Sequence, residues 1–187
     1  MSSNTPSVQS FPAISQHDAK VLVLGSMPGV ASLNEAAYYA HPRNAFWPIA
    51  IACFSDTLIG NVDLQQWSYE QRLRLLKDNQ VAVWDVLAEC VRPGSLDSAI
   101  DQKSVTLNPI MEFLDQHASI KRIVFNGKAA NAMFSRHVEK AIDGKWASYD
   151  VELITMPSTS PAMAQLSLAE KFSVWNKALN VMPTKAG

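Results

Sequence analysis

Four short runs of apolar and β-branched residues place the strongest constraint on the fold. They are 21–24 (VLVL), 81–84 (VAVW), 123–125 (IVF) and 151–156 (VELITM). The runs are near-continuous rather than alternating, which is typical of strands in a parallel sheet that is covered on both faces. Helical patterns separate them, and strands that alternate with helices imply right-handed β-α-β units. We therefore predict an α/β fold, a three-layer α/β/α sandwich around a four-stranded parallel sheet.

Helix-start signals lie between these runs. The segments 32–35 and 167–170 each read Ser-x-x-Glu, the spacing of a capping box, in which two side chains bind backbone N–H groups reciprocally. Asn108 precedes Pro109, an order that is typical of an N-cap followed by the first helical residue. We therefore predict helices that begin at these three places.

The length of the chain and its N-terminal composition predict the domain organisation. At 187 residues it fits one domain, because single domains commonly extend over about 100–200 residues. Residues 1–16 are rich in Ser, Pro, Gln and Asn, so we predict a flexible tail there and a single domain over 17–187. The N-terminus is polar, and no uninterrupted run of about 18 apolar residues occurs. We expect a soluble, cytoplasmic and monomeric protein with no membrane contact.

The charges and cysteines restrict the classes of ligand that the chain can bind. With 16 Lys+Arg against 17 Asp+Glu there is no global positive field, so a nucleic-acid site would need its positive groups concentrated locally. The two cysteines, Cys53 and Cys90, cannot supply a four-thiolate zinc or iron–sulfur site. The four histidines are scattered. We therefore predict no metal and no cofactor.

Polar or Gly/Pro-rich segments follow the predicted strands. They are 25–29 (GSMPG), 85–87 (DVL), 126–128 (NGK) and 157–161 (PSTSP). Ligands of open parallel sheets bind outside the carboxyl ends of the strands. The four segments could therefore line one pocket, although every strand also needs a turn at its end.

Two stretches near the N-terminus favour a particular kind of ligand. Segment 25–29 presents backbone N–H groups that glycine leaves accessible, but it has neither a Walker sequence nor the G-x-G-x-x-G spacing. Segment 38–47 combines four aromatic residues with one His, one Arg and one Asn, which suits stacking on a flat base beside a phosphate backbone. Phe46 and Trp47 are also expected as core residues of a helix that extends to about Phe54.

Several candidate residues have a structural alternative. Asn44 could be the N-cap of that helix, and His41 could be a structural hydrogen-bonding residue rather than a proton donor or a phosphate contact. Asp85, at the end of a buried strand, needs hydrogen-bond donors, which a helix N-terminus supplies as readily as a ligand. The hydroxyl groups of 158–160 could hold phosphate oxygens or could belong to a plain strand-to-helix connection.

Five segments in order along the chain carry a family resemblance: 25–33 (GSMPGVASL), 38–47 (YYAHPRNAFW), 84–97 (WDVLAECVRPGSLD), 125–130 (FNGKAA) and 156–162 (MPSTSPA). On these segments the chain resembles the uracil-DNA glycosylase superfamily, and within it the DNA-deoxyinosine (hypoxanthine) glycosylase branch. The resemblance spans about residues 20–182. The superfamily fold, a four-stranded parallel sheet between helices, agrees with the fold predicted above.

The resemblance also implies roles for individual residues. Met27 stands where the mismatch-specific branch has its catalytic Asn, and in the deoxyinosine branch the Asn of the H-P-R-N segment looks like the substitute, so Asn44 is the implied catalytic residue. Tyr39 matches an aromatic that stacks on the flipped base, and Asp85 matches a base-reading Asn. With these two, we expect the base site to include Gly25, Ser26, Met27 and Asn126. The expected DNA contacts are His41, Arg43, Lys128, Ser158, Thr159, Ser160 and Pro161, the last four within the segment that resembles the superfamily's backbone-gripping second motif.

The activity implied by the resemblance is that of a monofunctional DNA glycosylase. It would hydrolyse the N-glycosidic bond of a flipped-out deoxyinosine, release hypoxanthine and leave an abasic site for base excision repair. Asn44 would orient the water, and Asp85, if ionised, would accept the N1–H of hypoxanthine, where adenine has an acceptor. The alternatives are a uracil or mismatch-specific glycosylase of the same fold, a lesion-binding module without catalysis, and a nucleoside hydrolase.

Overall fold

The computed structural model describes residues 6–140 and 148–180. Its strands are β1 (Ser7–Gln9), β2 (Val21–Gly25), β3 (Val81–Asp85), β4 (Leu87–Val91), β5 (Thr106–Leu107), β6 (Arg122–Asn126) and β7 (Glu152–Met156). Its α-helices are α1 (Val30–Glu35), α2 (Phe46–Phe54), α3 (Tyr69–Asp78), α4 (Ile110–Gln116), α5 (Lys128–Phe134) and α6 (Leu168–Leu179).

The four apolar runs form one parallel sheet in the order β3-β2-β6-β7. β2 and β3 are buried along their whole length, which explains why their sequences do not alternate. The register aligns the carboxyl ends of the strands: Gly25 lies opposite Asp85, and Asn126 lies opposite Met156. The predicted α/β fold with a four-stranded parallel sheet is therefore confirmed.

A smaller antiparallel sheet, in the order β1-β4-β5, begins where β3 ends. Only Val86 separates β3 from β4, so the chain passes from one sheet to the other immediately after Asp85. The N–H of Val86 donates to the carbonyl oxygen of Gly25 (2.9 Å), and the N–H of Leu87 donates to that of Ser26 (3.1 Å). These bonds keep the junction against the end of β2.

The helices pack around the parallel sheet. α2 packs against α3 and α6, α3 against β3, and α5 against β6 and β7. The two tryptophans Trp47 of α2 and Trp175 of α6 are almost completely buried in the core. In the part of the chain that the structure describes, no helix combines the length and apolar character needed to cross a membrane.

The two Ser-x-x-Glu segments have different structures. Ser167 caps α6: its Oγ accepts from the N–H of Glu170, whose carboxylate accepts from the N–H of Ser167. The prediction at Ser32 is wrong, because α1 begins earlier, with Gly29 as its N-cap, and Ser32 lies inside the helix. The Ser32 Oγ instead accepts from the N–H of Ala40 (3.2 Å) and ties the end of α1 to the segment that follows.

The predicted N-cap at Asn108 is also wrong. The residue before α4 is Pro109, which makes no side-chain cap hydrogen bond. The Nδ2 of Asn108 donates to the carbonyl oxygens of Asp85 (2.9 Å) and Leu87 (3.1 Å). The amide is therefore used at the junction of β3 and β4, where the change of sheet leaves these carbonyl groups in need of a donor.

Residues 7–14 are part of the fold, so the prediction of a flexible tail is wrong for them. β1 pairs with β4, with Val8 opposite Cys90. Buried Ile14 exchanges two backbone hydrogen bonds with Val83, of 2.9 and 2.8 Å. Residues 7–14 thus find backbone hydrogen-bond partners in β4 and in β3. The polar composition of these residues does not reveal such partners. The remaining ends of the predicted tail and domain, 1–5 and 181–187, lie outside the described residues.

Candidate active site

A pocket opens at the carboxyl edge of the parallel sheet, where β2, β3, β6 and β7 end. Its walls come from the segments that follow these strands and from the stretch that connects α1 to α2. Of the residues predicted from the sequence, those that line it are Gly25, Ser26, Met27, Tyr39, His41, Asn44, Asp85, Asn126, Ser158, Thr159, Ser160 and Pro161.

Arg43 and Lys128 are the predicted site residues that do not line this pocket. Arg43 is exposed and borders an adjoining groove, which shares Asn44 and Pro161 with the pocket. Its N–H donates to Nδ1 of His41 (3.1 Å). Lys128 is exposed on the first turn of α5. Both side chains thus lie outside the cavity, where they face solvent.

The carboxyl group of Asp85 is buried in the wall of the pocket, with only 3% of the residue exposed. Its Oδ2 accepts a hydrogen bond from Oγ of Ser10 (2.7 Å). Burial raises the pKa of Asp85 to about 7; the Ser10 hydrogen bond opposes this, Asp97 adds to it, and Arg92 opposes it. β4 rather than a helix follows Asp85, so the N-cap alternative is wrong. The pocket therefore contains a carboxyl group whose charge changes near neutral pH.

The glycine at the end of β2 is required by this carboxyl group. A Cβ atom built on Gly25 would overlap Oδ1 of Asp85. Oδ1 therefore lies on the Gly25 side, and Oδ2 lies on the side of Ser10. Because Gly25 has no side chain, Oδ1 of Asp85 can lie directly beside it. Gly25 itself lines the cavity, so this oxygen lies close to the space that a ligand would occupy.

Asn44 lies two residues before the start of α2 and borders the pocket. Its Oδ1 accepts from the N–H of Phe46 (2.9 Å), and its own N–H donates to the carbonyl oxygen of His41 (2.8 Å). The formal N-cap of α2 is Ala45, but the Asn44 side chain satisfies one of the free N–H groups at the start of the helix. An amide oxygen has a second lone pair, so this bond leaves Oδ1 able to accept another donor.

Tyr39 has a backbone conformation that is rare for a residue with a side chain. Its φ of 56° lies in the left-handed region, and its ring packs on Phe46 with a centroid distance of 4.1 Å. Burial, reinforced by the charge of Asp85, raises the pKa of the hydroxyl group. This hydroxyl is buried and has no hydrogen-bond partner within the described part of the chain. Such strained and unsatisfied residues are concentrated at functional sites.

Two buried indole groups fix the segments that carry the site. Nε1 of Trp47 donates to the carbonyl oxygen of Tyr38 (2.8 Å), and Nε1 of Trp175 donates to that of Pro157 (2.9 Å). The core thus anchors both the aromatic stretch and the loop after β7.

Asn126 and Thr159 bind each other across the ends of β6 and β7. Nδ2 of Asn126 donates to Oγ1 of Thr159 (2.8 Å), and Oδ1 of Asn126 accepts from the N–H of Thr159 (2.8 Å). Thr159 is completely buried, and its carbonyl oxygen accepts from the N–H of Ala45 (2.9 Å). This arrangement favours a structural role for the pair, whereas Ser158 and Ser160 on either side are only half-buried.

The structure adds Arg92 and Asp97, which the sequence analysis did not identify. The buried Arg92 guanidinium donates to the carbonyl oxygens of Met27 (3.4 Å) and Pro28, and it lies 4.0 Å from Oδ1 of Asp97. The same Oδ1 accepts from Oγ of Ser26 (2.7 Å). The loop after β2 is therefore held by hydrogen bonds from the buried Arg92 and by the Ser26 bond to Asp97, whose side chain is 34% exposed. The signal available in the sequence was an Arg and an Asp on either side of a Pro-Gly-Ser turn.

No metal centre is formed within residues 6–140 and 148–180: no group of three or more His, Cys, Asp and Glu side chains is close enough to hold an ion. Cys53 and Cys90 are both free thiols.

The parallel sheet and the pocket at its carboxyl edge place the chain among the open-sheet α/β proteins, whose ligands bind at this edge. The family model described as "Uracil DNA glycosylase superfamily" matches residues 11–180. The chain therefore belongs to the uracil DNA glycosylase superfamily, as the sequence analysis predicted.

Individual relatives agree with this family. The chain is 35% identical over 120 residues to a protein of Methanosarcina barkeri named "Hypoxanthine DNA glycosylase", a match that covers 64% of this chain and 71% of the relative. It is 32% identical, with the same coverage, to a Methanosarcina acetivorans protein of the same name. A solution NMR structure of a candidate uracil DNA glycosylase from Methanosarcina acetivorans superimposes with a TM-score of 0.71 at 28% identity, covering 93% of this chain and 97% of that one.

Proposed function

We propose that this chain is a DNA-deoxyinosine glycosylase, which hydrolyses the N-glycosidic bond of deoxyinosine in DNA, releases hypoxanthine and leaves an abasic site for base excision repair. The names of the two Methanosarcina relatives bear out the predicted activity. The structural observation that supports the proposal most is the convergence of Asn44, Asp85 and Tyr39 on one pocket. A cytoplasmic location and a monomeric state are part of the proposal.

Base recognition would begin when the nucleotide leaves the duplex. Flipping costs a few kcal/mol, and less for a mismatched base, so a poorly paired inosine is favoured over a paired base. Phe46 covers one side of the Tyr39 ring, and the base would stack on the ring from the pocket. The ionised Asp85 would accept the N1–H of hypoxanthine, whereas adenine carries an acceptor at N1 and would be repelled.

Bond cleavage would depend on position and charge rather than on a metal. The sugar develops positive charge as the glycosidic bond breaks, and the phosphates of the DNA can stabilise it. The free lone pair of Asn44 Oδ1 would orient the attacking water, since an amide acts by positioning and not as a base. Met27 is buried, and its thioether cannot orient a water in this way. Segment 25–29 would therefore shape the wall of the pocket rather than position the water.

The DNA backbone would run across the mouth of the pocket. Ser158 and Ser160 would bind phosphate oxygens, with Pro161 shaping the loop, and His41 and Arg43 would bind the strand on the other side. Lys128 would reach only a more distant phosphate, because it lies outside the pocket and its groove.

The test uses end-labelled duplexes that contain a single inosine, uracil, xanthine or adenine. After incubation with the protein, alkali cleaves the strand at abasic sites. We expect alkali-dependent cleavage that is fastest at inosine and absent at adenine. Uracil preferred by about tenfold or more would assign the chain to the uracil-specific alternative, and inosine-dependent binding without cleavage would assign it to a lesion-binding module.

A further inference from the structure

The N-terminal segment, for which the sequence predicted a flexible tail, contacts the pocket residue Asp85 from outside the cavity. Ser10 follows β1 directly, and its Oγ donates to Oδ2 of Asp85 at 2.7 Å. Ser10 does not line the pocket, whereas Asp85 does. The serine therefore acts on the pocket only through the carboxyl group.

The backbone around Ser10 is held in place on both sides. Its N–H donates to the carbonyl oxygen of Ala88 in β4 (2.8 Å). The carbonyl oxygen of the next residue, Phe11, accepts from Nε1 of Trp84 (3.0 Å) and from the hydroxyl group of Tyr38 (3.3 Å). The Ser10 hydroxyl is therefore preorganised to donate to the carboxylate.

We propose that Ser10 supports base recognition through Asp85: its hydrogen bond to Oδ2 keeps the carboxylate in the ionised, hydrogen-bond-accepting form. The proposal rests on the proposed function of the pocket and extends it to a residue that does not line the pocket.

The Ser10 hydrogen bond determines which oxygen of Asp85 would carry a proton, and therefore whether Asp85 donates a hydrogen bond to a base or accepts one. Because Ser10 donates to Oδ2, a proton taken up by the carboxyl group would reside on Oδ1, the oxygen beside Gly25. Ionised, Oδ1 accepts the N1–H of hypoxanthine. Protonated, it becomes a donor, which matches the N1 of adenine and not that of hypoxanthine. The charge of Asp85 therefore determines which purine the pocket accepts.

Several groups compete to set this charge. Burial and Asp97 favour the neutral form, while Arg92 and the hydroxyl group of Ser10 favour the ionised form. The Tyr38 hydroxyl acts in the same direction more weakly, because its proton is donated to the carbonyl oxygen of Phe11. A hydrogen bond to the ionised form lowers the pKa of a carboxyl group. Ser10 is the donor among these whose removal changes neither net charge nor a residue that lines the pocket.

The test compares the pH dependence of single-turnover inosine excision in the wild type and in Ser10→Ala. Since the pKa of Asp85 is about 7, the wild-type rate should fall as the pH is lowered through this value. Loss of the Ser10 bond should raise the midpoint of this fall by about one pH unit. At about pH 6 the variant should thus be about tenfold slower than the wild type, and at about pH 9 the two rates should agree within about twofold. His41 also borders the pocket, but it is present in both proteins and cannot produce the difference.

Two further variants act as controls. Ser10→Thr keeps the hydroxyl group and should restore the wild-type profile. Ser7→Ala removes an exposed hydroxyl from β1, the strand that precedes Ser10, and should leave the profile unchanged. An equal loss of rate at every pH in Ser10→Ala, or a profile that coincides with the wild type, would overturn the proposal.

A second readout does not depend on activity. The Asp85 carboxyl resonance is titrated by NMR in the DNA-free protein, and its midpoint should be higher in Ser10→Ala than in the wild type. An unchanged midpoint overturns the proposal. If the shift is present but the wild type releases no hypoxanthine, the proposed function fails while the link between Ser10 and Asp85 is supported.

Discussion

We propose that the Asn44 side chain has a structural role at the start of α2 and a catalytic role in the pocket, and a substitution can separate the two. Its Oδ1 accepts from the N–H of Phe46 at the start of α2, and it borders the pocket, where it would orient water. The loss of the hydrogen bond alone in Asn44→Ala should cost about 0.5–2 kcal/mol of unfolding free energy, the usual effect at a helix N-terminus. The loss of water positioning should slow single-turnover excision by about 10²-fold or more, or about 2.7 kcal/mol of barrier.

Asn44→Ser distinguishes the two effects. The serine hydroxyl can accept from the same N–H group and should recover most of the stability. Its side chain is shorter, so it should not place an oxygen where the amide carbonyl lies, and excision should remain slow. Affinity for inosine DNA should change much less than the rate in both variants.

Asn79→Ala is the matched control for a loss of helix-end hydrogen bonding. Asn79 is exposed at the end of α3, and its Nδ2 donates to the carbonyl oxygen of Leu75 (2.8 Å). It precedes the amino end of β3, whereas the pocket lies at the carboxyl end of that strand, and it does not line the pocket. This variant should lose stability and retain its excision rate. Chemical denaturation and single-turnover kinetics measure the two quantities. An Asn44→Ser enzyme with the full wild-type rate would refute the catalytic role and direct attention to Asp85.

Three further predictions concern the pocket, the DNA backbone and metals. Gly25→Ala should cost about 1–3 kcal/mol in denaturation and slow excision, because the new Cβ displaces Asp85 Oδ1. Gly60→Ala, where a new Cβ meets no atom within 4 Å, should behave like the wild type. DNA affinity should fall with salt, and Arg43→Ala should reduce the log–log slope by about one; a flat wild-type profile would contradict backbone binding. EDTA should leave excision unchanged, and inactivation that zinc reverses would contradict the mechanism.

The sequence predicted the sheet and the pocket well for a physical reason. A strand that is covered on both faces must be apolar throughout, so β2, β3 and β6 stand out as continuous runs. Parallel strands bring their carboxyl ends to one edge, so the polar residues that follow them meet in space even though they are far apart in the chain. Asp85 and Asn126 were placed in this way.

The parts that the sequence did not reveal depend on long-range partners. β1 has three residues with a mixed burial pattern, and only its pairing with β4 makes it a strand. Asp97 interacts with Ser26, which is 71 residues away, and no local pattern reports that contact. The Ser-x-x-Glu spacing at Ser32 was misleading because it describes a local possibility, and the chain had already begun the helix at Val30.

The central claim is most directly tested by identification of the released product. An inosine-containing duplex is incubated with the protein, and the free bases are separated by chromatography and identified by mass. We expect free hypoxanthine in an amount equal to the number of alkali-labile sites, with no adenine released from a matched adenine-containing duplex. Alkali-labile sites without free hypoxanthine, or no product from inosine DNA at all, would contradict it.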